Sequence, residues 1–341
     1  MDNLTLLKDR LDSKISAAYR RAETLINRPR NDIAVTASLT RVCNARCPMC
    51  PMHNMENNQW QHMDDKTFHR MVEIFKQLHN RYLALHSMGE CLAHPDLKRY
   101  IDILRDNHFW IRVSTNASLL HRHMDTMLRV QYLRYSIEGW DEASLKKYRN
   151  LKFDQVYDNI KEFWHFSRGK VSYPIRLAVS FYPSMTEDNI REFTEVWGPY
   201  VDQISVSMAY NPQLNHTQRF RAPIPKDKFG DYYYMEPKQG PLTCGYAMGY
   251  ADIQPNGDVL PCCDDYAGQL TLGNIHEEDF MAIFNGERAR NLRAEFEQGN
   301  PVSCGNCHTF YDFTDEAKQH LEVLRGIVVS THDKVRRNRA A

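Results

Sequence analysis

Three cysteines lie close together near the start of the chain, Cys43, Cys47 and Cys50, in a C-x3-C-x2-C spacing. Three thiolates on one loop can hold three irons of a four-iron cluster, which leaves the fourth iron free to bind and activate another molecule. The alternative is a zinc site in which a histidine such as His53 supplies the fourth ligand. Both interpretations make this loop a metal centre.

A second group of cysteines lies in the last third of the chain. Cys244 and the pair Cys262-Cys263 are followed by Cys304 and Cys307, which are separated by two residues. This set could ligate a second iron–sulfur cluster, and four cysteines would suit a structural zinc ribbon equally well. Because neighbouring side chains of an extended strand point to opposite faces, we do not expect Cys262 and Cys263 to ligate together.

The composition favours metal sites over disulfide bonds. The chain of 341 residues holds nine cysteines, an odd number, and its 43 acidic residues balance 43 basic ones. No segment has the apolar length of a membrane span or the pattern of a signal peptide, so we expect a cytoplasmic protein with reduced thiols. The balanced charge predicts no nucleic-acid partner and no membrane partner.

The elements that must position the first cysteines alternate between strands and helices. This alternation is typical of βαβ units and a parallel sheet, and six repeats indicate an α/β fold with a partial (β/α)6 TIM-like barrel, whose site lies at the carboxyl ends of the strands. Helices are predicted at 65–79, 96–107, 118–129, 153–168 and 187–197. Strands are predicted at Ile33–Val42, Tyr82–Ser87, Trp110–Thr115, Tyr132–Ile137, Ile175–Tyr182 and Gln203–Met208.

The remaining segments predict a small C-terminal β-hairpin and helix domain around the second cysteine group. The hairpin joins Tyr250–Gln254 to Asp258–Pro261 through Asn256-Gly257, and a helix follows near 277–298. The basic tail from residue 327 is expected to be disordered. The predicted segments are an N-terminal helix (1–32), the barrel (33–210), a linker (211–243), the iron–sulfur domain (244–312) and a C-terminal helix with the basic tail (313–341).

The first cysteine motif, directly after a strand, resembles the radical SAM superfamily, and three further segments agree. They follow the second, third and fourth strands, where that family has a Gly-Glu pair, a Thr-Asn-Gly segment and a Ser-Ile-Asp-Gly segment: Gly89-Glu90, Ser114-Thr115-Asn116-Ala117 and Ser136-Ile137-Glu138-Gly139. Two departures are Ala117, which replaces the usual glycine, and Glu138, which replaces the usual aspartate.

This resemblance implies a cofactor and the residues that bind it. Cys43, Cys47 and Cys50 would hold a 4Fe-4S cluster that cleaves S-adenosyl-L-methionine (SAM) to a 5′-deoxyadenosyl radical. An external one-electron donor, such as flavodoxin or ferredoxin, would reduce that cluster. The residues implied to contact SAM are Gly89, Glu90, Asn116 and Ser136.

The second cysteine group resembles the SPASM/twitch extension of radical SAM enzymes, in its short form with one auxiliary 4Fe-4S cluster. Gln254-Pro-Asn-Gly-Asp-Val-Leu-Pro-Cys262 and Leu272-Gly-Asn-Ile275 agree with that extension. The spacing from Cys244 to Cys262 resembles that of twitch dehydrogenases, which favours Cys262 over Cys263. The implied ligands are Cys244, Cys262, Cys304 and Cys307.

Two cysteines remain, Cys91 and Cys263, and each has two interpretations. A free cysteine is among the most buried residue types, so either could be a core residue. Alternatively, either could be the catalytic donor of a hydrogen atom to a substrate radical, because Cys91 follows Glu90 and Cys263 follows a cluster ligand. Residues near strand ends that could line a substrate pocket, or simply pack, are His86, Tyr182, Tyr210 and Asn211.

A fully ligated auxiliary cluster cannot bind a substrate through iron, so its expected task is electron transfer. We therefore expect a two-electron oxidation of a small-molecule substrate, such as a sugar, cyclitol or nucleoside. Redox-neutral epimerisation or decarboxylation, peptide modification and a non-catalytic zinc-binding scaffold stay open. The 32 residues before the barrel are too few for a leader-peptide recognition domain, which weighs against peptide modification.

Overall fold

The computed structural model describes residues 33–53, 61–209, 233, 235–239, 242–304 and 307–340. The predicted N-terminal helix lies outside these residues, and so does most of the predicted linker.

Six parallel strands form the core sheet, which confirms the predicted partial barrel. They follow the chain order, and each pairs with the next, from β1 to β6. The sequence predicted their order and positions, although β1 is shorter than expected. The strands are β1 (Ala34–Ala37), β2 (Tyr82–Leu85), β3 (Trp110–Thr115), β4 (Tyr132–Ser136), β5 (Ile175–Phe181) and β6 (Gln203–Met208).

Helices connect the strands and continue into the C-terminal part. No helix in the described ranges is both long enough and apolar enough to cross a membrane. Those of the barrel are α1 (Asp65–Lys76), α2 (Leu97–Asp106), α3 (Met124–Met127), α4 (Glu142–Arg149), α5 (Phe153–Ser167) and α6 (Glu187–Trp197). Those that follow are α7 (Gly245–Gly249), α8 (Phe280–Phe284), α9 (Glu287–Glu297) and α10 (Asp315–Ala340).

The barrel strands bury one face and leave the other partly open, as the period of two requires. In β5, Leu177 and Val179 are fully packed, and the residues between them are only half-buried. In β4, Leu133 and Tyr135 are buried, whereas Arg134 and Ser136 alternate with them on the other face. The packed face meets the helices, so the second face supplies the side chains of the barrel interior.

The predicted hairpin does not stand apart from the barrel. It consists of β8 (Tyr250–Ile253) and β9 (Asp258–Leu260), and β8 pairs in parallel with β1, with Ala34 opposite Tyr250 and Ala37 opposite Ile253. The sheet order is β10-β9-β8-β1-β2-β3-β4-β5-β6, where β10 is Gly273–Asn274. A two-stranded sheet of β7 (Met235–Pro237) and β11 (Tyr311–Phe313) lies beside it. The auxiliary region therefore continues the barrel sheet past its first strand.

Three local predictions differ from the structure. The segment 118–129 forms a 3-10 turn at Leu120–Arg122 and the short helix α3. The segment 277–298 forms two helices, separated at Gly286, where an added Cβ would lie 2.7 Å from the Ala282 carbonyl oxygen. The helix α4 was not predicted, although Asp141 and Ser144 form a capping box at its start.

The prediction of a disordered tail from residue 327 is wrong, because α10 continues to Ala340. Its apolar face explains the difference. Leu324 is fully buried, and Val328 is nearly so, where the helix packs against α6. The His332 ring lies within hydrogen-bond distance of the Gly198 carbonyl, at 3.3 Å. Basic residues on the opposite face of α10 give the segment a high charge, and this charge led to the prediction of disorder despite the apolar face.

Candidate functional site

A cavity of about 360 Å3 lies at the carboxyl ends of the barrel strands, a volume within the range of small-molecule sites. The elements that line it are the cysteine loop after β1 and the segments where β2 to β6 end. All seven residues assigned from sequence to the first cluster and to SAM lie on its wall: Cys43, Cys47, Cys50, Gly89, Glu90, Asn116 and Ser136. The fold thus brings together residues that are spread over nearly a hundred positions.

Hydrogen bonds hold the cysteine loop in place. The Val42 amide donates to Thr40 Oγ1 at 2.9 Å, and the Cys50 amide donates to the Cys47 carbonyl at 3.0 Å. Burial has the largest effect on the Cys43 thiol and raises its pKa to about 12. A neutral thiol is the form that such burial favours, and a metal that binds there must displace the proton.

The donor set suits a cluster better than a single ion. Within the described ranges, no three His, Cys, Asp or Glu side chains converge closely enough to hold one metal ion. Each cysteine of a four-iron cluster ligates a different iron, so its thiolates lie further apart than the ligands of one zinc ion. Three thiols that share one cavity wall therefore fit the cluster. The side chain of His53, the histidine considered for zinc, lies outside the described residues.

Gly89 and Glu90 sit where the second strand meets the cysteine loop. Gly89 has a φ of +73°, and a Cβ at this position would collide with the Thr40 carbonyl oxygen, so only glycine fits. The Glu90 carboxylate is buried and accepts hydrogen bonds from Thr115 Oγ1 (2.7 Å) and the Asn116 amide (2.8 Å). Burial raises the pKa of Glu90, and these hydrogen bonds oppose that shift. The carboxylate is thus held rigidly at the cavity wall.

Asn116 connects the third strand to the cysteine loop. Its Nδ2 donates to Asn44 Oδ1 at 3.2 Å, and its Oδ1 accepts from the Ser118 amide at 2.9 Å. The following residue, Ala117, has a φ of 62°, in the left-handed region that favours glycine. The alanine that departs from the family pattern therefore occupies the backbone conformation that a glycine would adopt more easily.

Sequence analysis missed Arg149, which lies at the end of α4 and reaches the first cysteine motif. Its Nε donates to the Glu138 carboxylate, and its NH1 lies 3.6 Å from Cys47 Sγ. Burial alone would lower the pKa of Arg149, but Glu138 and Cys47 raise it overall, so the guanidinium stays charged. A cationic donor at a cluster ligand favours the thiolate and a more positive cluster potential. Only the capping box of α4 could have indicated a helix here.

The two cysteines considered as hydrogen donors do not lie on the cavity wall. Cys91 is buried in the core, where its thiol contacts the Ser114 carbonyl at 3.7 Å. Cys263 contacts the Tyr250 hydroxyl. Of the four residues considered for a substrate pocket, His86 and Tyr182 line the cavity, whereas the other two, Tyr210 and Asn211, lie outside the described residues.

The second cysteine group has an apolar setting. Three of its members, Cys244, Cys304 and Cys307, pack against one hydrophobic cluster. Burial has the largest effect on the pKa of each of these thiols and raises it, and neighbouring thiols raise it further. Thiols with raised pKa values stay protonated unless a cation displaces their protons, and a metal cluster would supply that cation. The buried members of the apolar cluster are Leu242, Ala247, Leu292, Phe296, Phe310 and Tyr311.

The argument that Cys262 and Cys263 point to opposite faces is wrong, because β9 ends at Leu260 and both residues lie beyond it. The two thiols form a hydrogen bond with each other, and this contact has the largest effect on the pKa of Cys262, which it raises. Burial raises this pKa further. Cys262 Sγ also accepts from the Asp264 amide at 3.3 Å. The choice of Cys262 as the fourth ligand therefore stays a prediction from spacing.

Tyr266, which sequence analysis also missed, links the two cysteine sites. It lines the cavity of the first site, and its hydroxyl donates to Asp264 Oδ1 at 3.0 Å, just after the Cys262-Cys263 pair. Arg41, at the base of the first cysteine loop, donates to the Tyr266 carbonyl at 2.9 Å. No local sequence signal marks this tyrosine, because its role depends on how β8 joins β1.

Family models match both regions. The radical SAM superfamily model matches residues 37–165, and the SPASM model, an iron–sulfur cluster-binding domain, matches residues 244–308. These matches confirm the predicted cofactors: a 4Fe-4S cluster and SAM in the barrel, and auxiliary iron–sulfur binding in the C-terminal region.

Individual relatives are distant. A curated one is the S-adenosyl-L-methionine-dependent 2-deoxy-scyllo-inosamine dehydrogenase of Niallia circulans, 24% identical over 83 residues, which are 24% of this chain and only 33% of that enzyme. The structure of BtrN with AdoMet and 2-DOIA has a TM-score of 0.51 at 16% identity, over 80% of this chain and 92% of that one. Streptococcus suis SuiB bound to precursor peptide SuiA has a TM-score of 0.55 at 12% identity, over 81% and 72%. At these identities the two structures show a shared fold.

Proposed function

We propose that this chain, which belongs to the radical SAM superfamily and carries a SPASM iron–sulfur domain, oxidises a small polar metabolite by two electrons. The substrate class would be a sugar, cyclitol or nucleoside. The name of the Niallia circulans relative supports dehydrogenation of a small molecule.

Each group of residues has a task in this proposal. Cys43, Cys47 and Cys50 hold the first cluster, and Glu90, fixed by its hydrogen bonds, provides the negative charge for the SAM ammonium. The auxiliary ligands are Cys244, Cys262, Cys304 and Cys307. When bound, the cofactors supply a radical that removes one hydrogen atom and a cluster that accepts the second electron, while the second hydrogen leaves as a proton.

One observation carries the choice of oxidation. Among the cavity-lining residues that the structure describes, the three motif cysteines are the only thiols. A redox-neutral epimerisation or decarboxylation needs a group that returns a hydrogen atom to the substrate radical. Neither Cys91 nor Cys263 lies on the wall to do so, and electron removal needs no such donor.

Isotope labelling in heavy water tests this proposal. The reconstituted enzyme, reduced by flavodoxin or ferredoxin, would be screened against cyclitols, sugars and nucleosides, with 5′-deoxyadenosine as the readout of turnover. The expected product is about two mass units lighter than the substrate and carries no solvent deuterium at the reacting carbon, since both hydrogens leave. Solvent deuterium at that carbon, together with an inactive Cys91→Ala or Cys263→Ala variant, would overturn oxidation.

The same screen addresses peptides. A library of synthetic peptides would be added as a separate arm, because SuiB, with a similar fold, was solved with a precursor peptide. Turnover of a peptide with none of the small molecules would overturn the substrate class but leave the radical chemistry intact.

A further inference from the structure

Three residues of the cavity wall each carry a buried polar atom that has no hydrogen-bond partner among the described residues. The atoms are His86 Nε2, Ser114 Oγ and Arg134 Nε, and the three residues follow or belong to the neighbouring strands β2, β3 and β4. Buried polar atoms in folded proteins are nearly always satisfied. Three orphaned atoms in residues of one wall therefore indicate that a ligand supplies their partner.

Arg134 makes the strongest case of the three, because it is charged. No carboxylate of the described chain forms an ion pair with it, and its Nε is buried. The second arginine of this cavity, Arg149, is fully paired with Glu138. Within the described part of the chain, the cavity thus holds one guanidinium that is paired with a carboxylate and one that is not. Burial of a charge without a counter-charge destabilises the folded state. Arg134 therefore destabilises the fold unless a ligand supplies a negative charge beside it.

The surroundings of Arg134 add positive charge. Arg176 is its register partner on β5, and Arg112 lies on the adjacent strand β3. Burial, followed by the charge of Arg112, lowers the pKa of Arg134. Burial, followed by the charges of Arg112 and Arg134, lowers the pKa of His86 to about 3, so its ring is neutral at physiological pH. A neutral imidazole can still donate one hydrogen bond to an acceptor beside Arg134.

The position of Arg134 separates it from the residues assigned to the cofactor. It lies on β4 two residues before Ser136, on the same face of the strand. Two residues of a strand span about 7 Å, so Arg134 lies deeper in the barrel than Ser136. A group bound there would belong to the molecule that enters the barrel beneath the strand ends.

We propose that Arg134, together with His86 and Ser114, forms a subsite for an oxyanion, either a phosphate or a carboxylate, carried by the substrate. This inference rests on the proposed function and narrows its substrate class to anionic small metabolites. A guanidinium binds both groups through paired N–H donors, so the shared chemistry is that of a planar, charge-assisted contact. The hydroxyl of Ser114 and the ring of His86 would complete the partners of the anion.

Calorimetry on the SAM-loaded, anaerobically reconstituted enzyme tests the subsite, with inorganic phosphate and acetate as probes. We expect one probe ion per chain in the wild type, and the tighter of the two identifies the preferred oxyanion. Arg134→Gln should weaken that binding by about 10- to 100-fold, since a charged hydrogen bond is lost. Arg134→Lys, which keeps the charge, should retain part of it.

Arg176→Gln is the matched control. It removes the same charge from the register partner on β5, but its Nε already donates to Gln203 Oε1 at 2.7 Å. Probe affinity should change less than about threefold in this variant, because its guanidinium has a partner. Iron content and SAM affinity should stay at wild-type values in all three variants.

Three results would overturn the subsite. They are no binding of either probe to the wild type, equal losses in Arg134→Gln and Arg176→Gln, or a loss of SAM affinity in Arg134→Gln, which would assign this arginine to the cofactor carboxylate. These outcomes are separate from failure of the proposed function. An enzyme that binds phosphate through Arg134 but catalyses a redox-neutral reaction keeps the subsite and loses the oxidation.

Discussion

The two cysteine sites differ in what surrounds them. Around Cys43, Cys47 and Cys50 the wall carries charged side chains, among them Glu90 and Arg149, and opens into a cavity of about 360 Å3. Around Cys244 and its neighbours the packing is apolar, with aromatic and aliphatic side chains against the thiols. A site that must admit and orient a charged cofactor needs fixed polar groups, whereas a site that only passes electrons does not.

The number of ligands follows the same division. Cys43, Cys47 and Cys50 would hold three irons of a four-iron cluster, which would leave the fourth iron without a protein ligand in a cavity that polar residues also line. The four cysteines predicted for the auxiliary site would complete the ligands of its cluster, and a substrate would then have no open iron to coordinate. This difference agrees with the proposal that the first site performs the chemistry and that the second, joined to it through Tyr266 and Asp264, transfers electrons.

Cysteine replacement should give the largest effect and separate the two sites. The wild type should bind about eight irons per chain after reconstitution, and the triple change of Cys43, Cys47 and Cys50 to alanine should leave about four. That variant should form no 5′-deoxyadenosine. Cys262→Ala should also lose iron, yet it should still cleave SAM while product formation stops. Iron assays and product analysis measure all of these quantities.

Cys263→Ala is the control for the auxiliary site, since its thiol adjoins that of Cys262. Its iron content should match the wild type. If Cys263→Ala loses iron and Cys262→Ala does not, then Cys263 is the ligand in place of Cys262. SAM cleavage by the triple variant would refute the division between the sites altogether.

An intermediate effect is expected at Glu90. Glu90→Gln keeps the size of the side chain but removes the negative charge expected to face the SAM ammonium, which should weaken SAM affinity by about 1.5–3 kcal/mol. Iron content should not change, because Glu90 is not a ligand. The matched control is Glu138→Gln, a second buried carboxylate of the same wall that faces Arg149. Equal losses of SAM affinity in the two variants would contradict a specific role for Glu90.

The smallest effect should come from Arg149. Removal of this residue alone would leave Glu138 buried without a partner, so the informative variant is the double change Glu138→Gln/Arg149→Met. Loss of a cationic donor at Cys47 Sγ should make the potential of the first cluster more negative by roughly tens of millivolts. A redox titration followed by electron paramagnetic resonance, in the Cys262→Ala background, measures this shift. An unchanged potential would mean that Arg149 only supports the loop.

Most of the fold was predictable from sequence, because the barrel strands and helices carry strong local patterns. The six strands and the longer helices of the barrel lie where periodicity placed them. The errors occur where packing overrides local pattern. Residues from 327 onward are helical because one face of α10 packs against α6, and the basic residues of the same segment led to the prediction of a disordered tail.

The candidate site was predictable only in part. The residues that line the cavity and carry a motif, such as Gly89 and Glu90, follow strand ends that can be identified from sequence. The residues that lack a motif, such as Arg134 and Tyr266, were missed. Their significance depends on which partners they find or lack in the folded chain, and no local pattern records that.

The sequence by itself determined the cysteine spacings, the order of the strands and the glycine that allows Glu90 to approach the cysteine loop. These properties depend on residue type and on local backbone geometry, and both are determined by residues that are close together in the sequence. Only the tertiary structure decided that Arg149 reaches Cys47 across 102 positions, that Arg134 has no ion-pair partner among the described residues, and that β8 extends the barrel sheet beside β1. Such contacts join segments far apart in the chain, and they form only when the packing of the whole barrel brings those segments together.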